Sequence, residues 1–194
     1  MPKKAVLGKR TAERLALISV FGVVATLVTS LLAVPVNVIT GIPAGGMFLM
    51  IFVMPMMYVL FSFIMPFFPS ATAISFVNGA LMLFIPAMGP VGFLPKIFMQ
   101  MGFGFGVDVI MMIFRKRELL AAVISGVVST PLTVLHMALW FSLLLPQRAA
   151  WSFVSLLPYT IPLTLVLGPL GGLTGWRIFY RIRDSPDVRR LTFY

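Results

Sequence analysis

The chain has 194 residues, 60% of them hydrophobic and only 20 charged, 15 basic against five acidic; its mean hydropathy of +1.05 exceeds what a water-soluble domain hides in a core, which leaves lipid as the solvent. Zero cysteines exclude disulfides and thiolate chemistry, and one histidine with five acids leaves little from which to build a metal or redox centre, so no cofactor is expected. The formal charge of +10 does not point to nucleic acid, because the basic residues sit in short clusters beside apolar runs, as on the cytoplasmic flanks of membrane helices.

Residues 1–14 form a basic N-terminal segment, and the apolar run 15–36 after it is longer than a signal-peptide core and lacks a small-x-small cleavage site. It reads as a retained first membrane helix. No charge occurs between Arg14 and Lys96, room for several consecutive spans of roughly 20 residues each. Pro35, Pro43, Gly41, Gly45 and Gly46 end the first span and turn the chain into a second at 46–67. Pro66 and Pro69 precede a third span at 71–88, and Pro86, Gly89 and Pro90 separate it from a fourth at 91–114. Arg115-Lys116-Arg117 precedes a fifth at 119–145, and Pro146-Gln147-Arg148 a sixth at 150–178. The expectation is an all-α, polytopic protein with one membrane domain over 1–194: a six-helix bundle in 15–180 and a basic tail in 181–194.

Six spans put the N-terminal cluster, the Arg115 cluster and the tail on one side of the bilayer. The preference of Lys and Arg for the cytoplasm makes that side, with both termini, the inner one. Lys96 and Arg148 are left outside. A five-span count would export the basic tail, and a re-entrant hairpin in 46–88 would change the count without improving the charge pattern.

Polar residues within a span are costly unless they face protein or a water-filled cavity. On this layout Asn37 and Thr40 lie in the first outer loop, Lys96 and Gln100 in the outer part of the fourth span, His136 and Trp140 in that of the fifth, and Trp151 and Tyr159 in that of the sixth. Lys96 and Gln100 are one helical turn apart, as are His136 and Trp140, so each pair shares a helix face and an outward-facing ligand site is expected. Plainer roles stand beside this one: Lys96 as a snorkelling cation, Trp140 and Trp151 as aromatic-belt residues, His136 as a neutral interhelical donor. Asn78 reads as interhelical glue, and Asp108 as the partner of Arg115, one heptad on.

Gly102-Phe103-Gly104-Phe105-Gly106 lacks the strand and the Lys-Ser/Thr pair of a phosphate loop, so it reads as a site of close packing or bending. Gly168 with Gly172, and the offset pair Gly171 with Gly175, have the four-residue spacing that lets helix backbones approach. Of the 14 methionines, Met47, Met50, Met54, Met56 and Met57 crowd the second span, where flexible thioethers fill gaps.

The whole layout resembles the substrate-binding S components of energy-coupling factor transporters, which import vitamins and related micronutrients in prokaryotes. The likeness rests on the chain length, six spans, Ala12-Glu13-Arg14-Leu15-Ala16 after a basic N-terminus, Ile42-Pro43-Ala44-Gly45-Gly46, Pro86-Ala87-Met88-Gly89-Pro90, and the glycine-rich last span from Gly168 to Ile178. It implies a multi-pass protein of the prokaryotic plasma membrane that binds a small-molecule substrate near the outer surface. The partners it implies are a transmembrane coupling subunit, met by Ala12 and Ala16, and two cytoplasmic ATPase subunits. Loop glycines Gly41, Gly45 and Gly46 would allow closure over the solute. With Lys96, Gln100 and His136 present and no pocket acid, the solute is expected to be neutral or anionic, such as a heterocycle stacked on Trp140 or Tyr159. The alternative is a self-sufficient homo-oligomeric transporter or channel using Asp108 and His136. An enzyme is not expected, because the acids lie toward the inner end and His136 toward the outer one.

Overall fold

The structure, a computed structural model, describes residues 2–40 and 46–192, with the side chains of residues 2–10, 40, 47, 149 and 192 outside that description. All the secondary structure described is helical: α1 (Pro2–Thr40), α2 (Met47–Ile64), α3 (Ser70–Met82), α4 (Pro95–Ile113), α5 (Glu118–Leu144), α6 (Gln147–Val154), α7 (Leu157–Ile182) and α8 (Pro186–Thr192). Helices are what an apolar chain must form in lipid, since they satisfy every backbone N–H and C=O within one segment. The outer surface is apolar along the bundle's length, with Leu31, Phe76, Phe105, Leu135 and Val166 all exposed, while Thr29, Ser75, Asn78, Ser125 and Thr164 are buried. An apolar surface of this extent is the reverse of what water selects, while the core beneath it is itself largely apolar.

Among the described residues four helices are long and apolar enough to cross a membrane: Thr11–Ile39 within α1, Pro95–Ile113, Glu118–Leu144 and Leu157–Ile182. The second and third expected spans are shorter apolar helices. At 13 residues, α3 is about 20 Å long, well short of a hydrocarbon core of about 30 Å. The chain leaves the helix at Leu83 rather than at 88, and 83–94 forms turns at one end of the bundle. Similarly, the expected sixth span begins seven residues late at Leu157, behind the separate short helix α6 that carries Trp151.

The connections run up and down, and every basic cluster with a described position reaches the same end. Arg14 stands 4.7 Å over the ring of Phe67, a groove of about 340 Å³ joins Arg14 and Met65 to Leu191, and a second, of about 450 Å³, joins Phe67 to Asp108, Arg115 and Glu118. The opposite end holds Asn37, Gly46, the 83–94 turns and α6.

α7 packs along both α2 and α5, and α3 packs along α4. The two glycine pairs of α7 divide this work between its neighbours. A Cβ at Gly168 or Gly172 would overlap the carbonyls of Gly126 and Ala122 on α5, and one at Gly171 or Gly175 those of Phe52 and Met56 on α2. The 102–106 glycines alternate in the same way: Gly104 meets Ala71 and Ser75 of α3, while Gly102 and Gly106 meet His136 and Ser129 of α5. Both runs are packing surfaces, as their spacing predicts.

Candidate functional site

The end opposite the basic clusters is tied together by Asn37. Its Oδ1 accepts the backbone N–H of Gly46 at 2.7 Å, and its Nδ2 donates to the carbonyl of Pro86 at 3.4 Å, so one side chain links the end of α1, the start of α2 and the 83–94 turns. Thr40 belongs to the last turn of α1, but its side chain lies outside the described residues, as do the loop glycines Gly41 and Gly45.

Lys96 does not snorkel. It is 1% exposed, and its ammonium donates to the carbonyls of Met82 at 3.0 Å and Ile85 at 2.7 Å, where α3 ends. A helix end leaves its last carbonyls without intrahelical partners and carries partial negative charge, which a buried cation matches. Asp108, also on α4, does the converse at the other end of α3. Its carboxylate accepts the N–H of Ala71 at 3.0 Å, the N–H of Thr72 at 2.8 Å and the Thr72 hydroxyl at 2.7 Å. Its partner is therefore the N-terminus of α3 and not Arg115, which shares a groove with it. Twelve residues of α4 rise about 18 Å, close to the about 20 Å of α3, so an antiparallel neighbour with a cation at one end and an anion at the other spans the short helix.

Gln100, likewise 1% exposed, donates from Nε2 to the sulfur of Met88 at 3.0 Å, while its Oε1 is buried without a hydrogen-bond partner. Among the described residues Met88 is the one non-glycine with a positive φ, 58°. It roofs a cavity of about 30 Å³ between α2, α4 and α5, whose walls include Met50, Met54, Phe103, Thr130 and Met137. The Thr130 hydroxyl is buried there without a partner.

Neither a protein-family model, nor a curated protein, nor a solved structure matches the chain.

The residues read as one outer cluster thus separate into groups. Lys96 and Gln100 face α3 and the Met88 turn. His136 and Trp140 pack on another side of α4, with the Trp140 ring stacked at 6.3 Å on Phe98 and the His136 ring against Gly102. Tyr159 is 74% exposed and Trp151 is exposed on α6, so neither contributes to an interior pocket. Ala12 and Ala16 are both exposed on α1, leaving a small-residue face open at the basic end. Among the described residues no group of three or more His, Asp or Glu side chains could hold a metal. Met88 and Thr130 are missing from the sequence-predicted set. The methionine crowding of the second span and the central position of Met88 in Pro86-Ala87-Met88-Gly89-Pro90 were the available signals.

Proposed function

We propose that this chain is the solute-binding membrane subunit of an uptake system for a small, neutral or anionic micronutrient, energised by two cytoplasmic ATPases through a transmembrane coupling subunit. Six membrane-embedded helices, with α2 and α3 shorter than full spans, and cytoplasmic termini belong to this reading, as does a prokaryotic plasma membrane. The observation that carries it is the half-open cavity lined by Met88. It sits toward the end remote from the basic clusters, and its wall contains a hydroxyl with an unmade hydrogen bond. An unmade bond of that kind is costly in a purely structural core and useful in a binding site. The exposed Ala12/Ala16 face at the basic end supports a helix-packing partner on the cytoplasmic side. The self-sufficient pathway is less well supported, since Asp108 spends both carboxylate oxygens on α3.

The test is reconstitution with and without an energy-coupling factor module, scored by uptake of a vitamin panel. ATP-dependent uptake that requires the module, and that is lost on Ala12→Trp or Ala16→Trp along with co-purification of the coupling subunit, is the expected result. Equal uptake by the chain alone would overturn the proposal. Orientation has its own check, because the chain contains no cysteine. Single cysteines at Asp184 and Arg148 are expected to react with an impermeant maleimide from the inside and the outside, respectively.

A further inference from the structure

The cavity under Met88 is small, yet four of its nine lining side chains are methionines: Met50, Met54, Met88 and Met137. About 30 Å³ holds little more than a water or two, whereas a cavity of about 150 Å³ admits a benzene ring. Methionine is the side chain best able to close that gap without backbone movement, having three rotatable bonds and no branch.

Met88 is held differently from the other three. Its backbone is left-handed, a conformation that its Cβ disfavours, although the neighbouring Gly89 and Gly92 also have positive φ and would carry no such penalty. The thioether that this geometry directs inward is 6% exposed and is held by the Gln100 amide at 3.0 Å. Two of the buried polar atoms left without partners lie close to it: Thr130 Oγ1 belongs to the cavity wall, and Gln100 Oε1 to the amide that holds the Met88 sulfur just outside that wall. If Met88 swings out, Gln100 presents an adjacent N–H donor and carbonyl acceptor, the complement of an amide edge. No charged side chain lines the cavity, and the nearby ammonium of Lys96 is taken by the Met82 and Ile85 carbonyls, so an anion entering here would be buried without a counterion.

We propose that this cavity is the solute pocket, that Met88 is its displaceable thioether plug, and that its occupant is an uncharged flat ring bearing a carboxamide or lactam edge read by Gln100. The proposal rests on the solute-binding reading above and narrows its neutral-or-anionic range to neutral.

Three probes of nearly one shape test it on the purified full chain in lipid nanodiscs: nicotinamide, which is neutral with an amide edge; methyl nicotinate, neutral without a donor; and nicotinate, an anion. Titration calorimetry on the wild type and Met88→Ala is expected to show nicotinamide binding about tenfold tighter once the plug no longer has to be displaced. In Met88→Ala nicotinamide is expected to exceed either analogue by about tenfold, the worth of one reading group left unpaired, and Gln100→Leu in that background to erase the preference. Met88→Gly, which removes the plug and relaxes the backbone together, gives the same comparison if Met88→Ala does not fold. Absence of saturable nicotinamide binding to the plug-free variant, equal affinity with and without the plug, or nicotinate binding as well as nicotinamide would each overturn the proposal. Because the assay uses this chain alone, failure of ATP-driven uptake would strike the proposed function and leave this result standing; loss of discrimination here would strike the pocket and leave the coupling standing.

Discussion

Where α7 meets α2 and α5 the helices touch through glycine and carbonyl, with the Thr130 hydroxyl also against Gly168; where α3 meets α4 two charged side chains reach opposite ends of one short helix. The difference follows from length. A helix that crosses the hydrocarbon delivers its unpaired terminal groups to water, so its packing needs only dispersion contact, and small residues give the closest approach. A 13-residue helix ends while still inside the bundle, and its termini must find partners there. Asp108 and Lys96 are those partners.

Substitutions on the two sides should therefore fail in different ways. The largest effect is expected at the α7 seam. Gly171→Leu or Gly126→Leu drives a side chain into a backbone carbonyl of a neighbouring helix, with no flexible group able to yield, and is expected to cost about 3 kcal/mol or more. Thermal unfolding in detergent would register this as loss of the folded band, and a well-folded Gly171→Leu would show that the seam is not tight. At the α3 clamp, Asp108→Ala removes three accepted hydrogen bonds, one from a buried and two from part-buried donors, and Lys96→Met two donated ones. Each is expected to cost about 2 kcal/mol, at the charged-partner end of the hydrogen-bond range. The double variant sharpens the comparison. Both residues secure the same helix, so once either end is released the second loss should be smaller, and fully additive losses would mean that α3 is not held as a unit.

A still smaller loss is expected along the inner polar chain, where Thr26 of α1 donates to Asn78 Oδ1 at 3.0 Å and Asn78 Nδ2 donates to the Tyr58 hydroxyl at 2.9 Å. Asn78→Ala should lose about 1 kcal/mol, as interhelical hydrogen bonds between membrane helices do. A cost equal to that of Asp108→Ala would show that neutral side-chain links and terminus capping are equally important here, which the contrast between the two regions denies.

The seam was legible in the sequence because four-residue glycine spacing has one geometric meaning on a helix: Gly168/Gly172 and Gly171/Gly175 face two neighbours. The clamp was not. Lys96 could be recognised as costly, but its acceptors exist only because α3 stops at Met82 and leaves carbonyls open, and a span drawn to 88 conceals them. The nearest basic residue to Asp108 in sequence is Arg115, whereas its donors lie 36 and 37 residues upstream. The candidate site was legible in part. Gln100 has an interior polar role, but helical spacing alone cannot say which side of α4 faces which neighbour, and His136 and Trp140 pack away from it.

The smallest expected effect is at Met88, where two contributions oppose each other. Met88→Gly removes a left-handed penalty of about 1–2 kcal/mol but also loses the thioether packing and adds freedom to the unfolded chain. The net change should be close to zero. Met88→Ala loses the same packing and keeps the penalty, so the glycine variant is expected to be the more stable of the two by roughly 1 kcal/mol, after the usual preference for alanine has been overcome. The pair thus isolates the backbone from the side chain. Equal stabilities, or an alanine variant more stable than the glycine one, would mean that position 88 is not held left-handed, and a thioether plug positioned by that turn would lose its support.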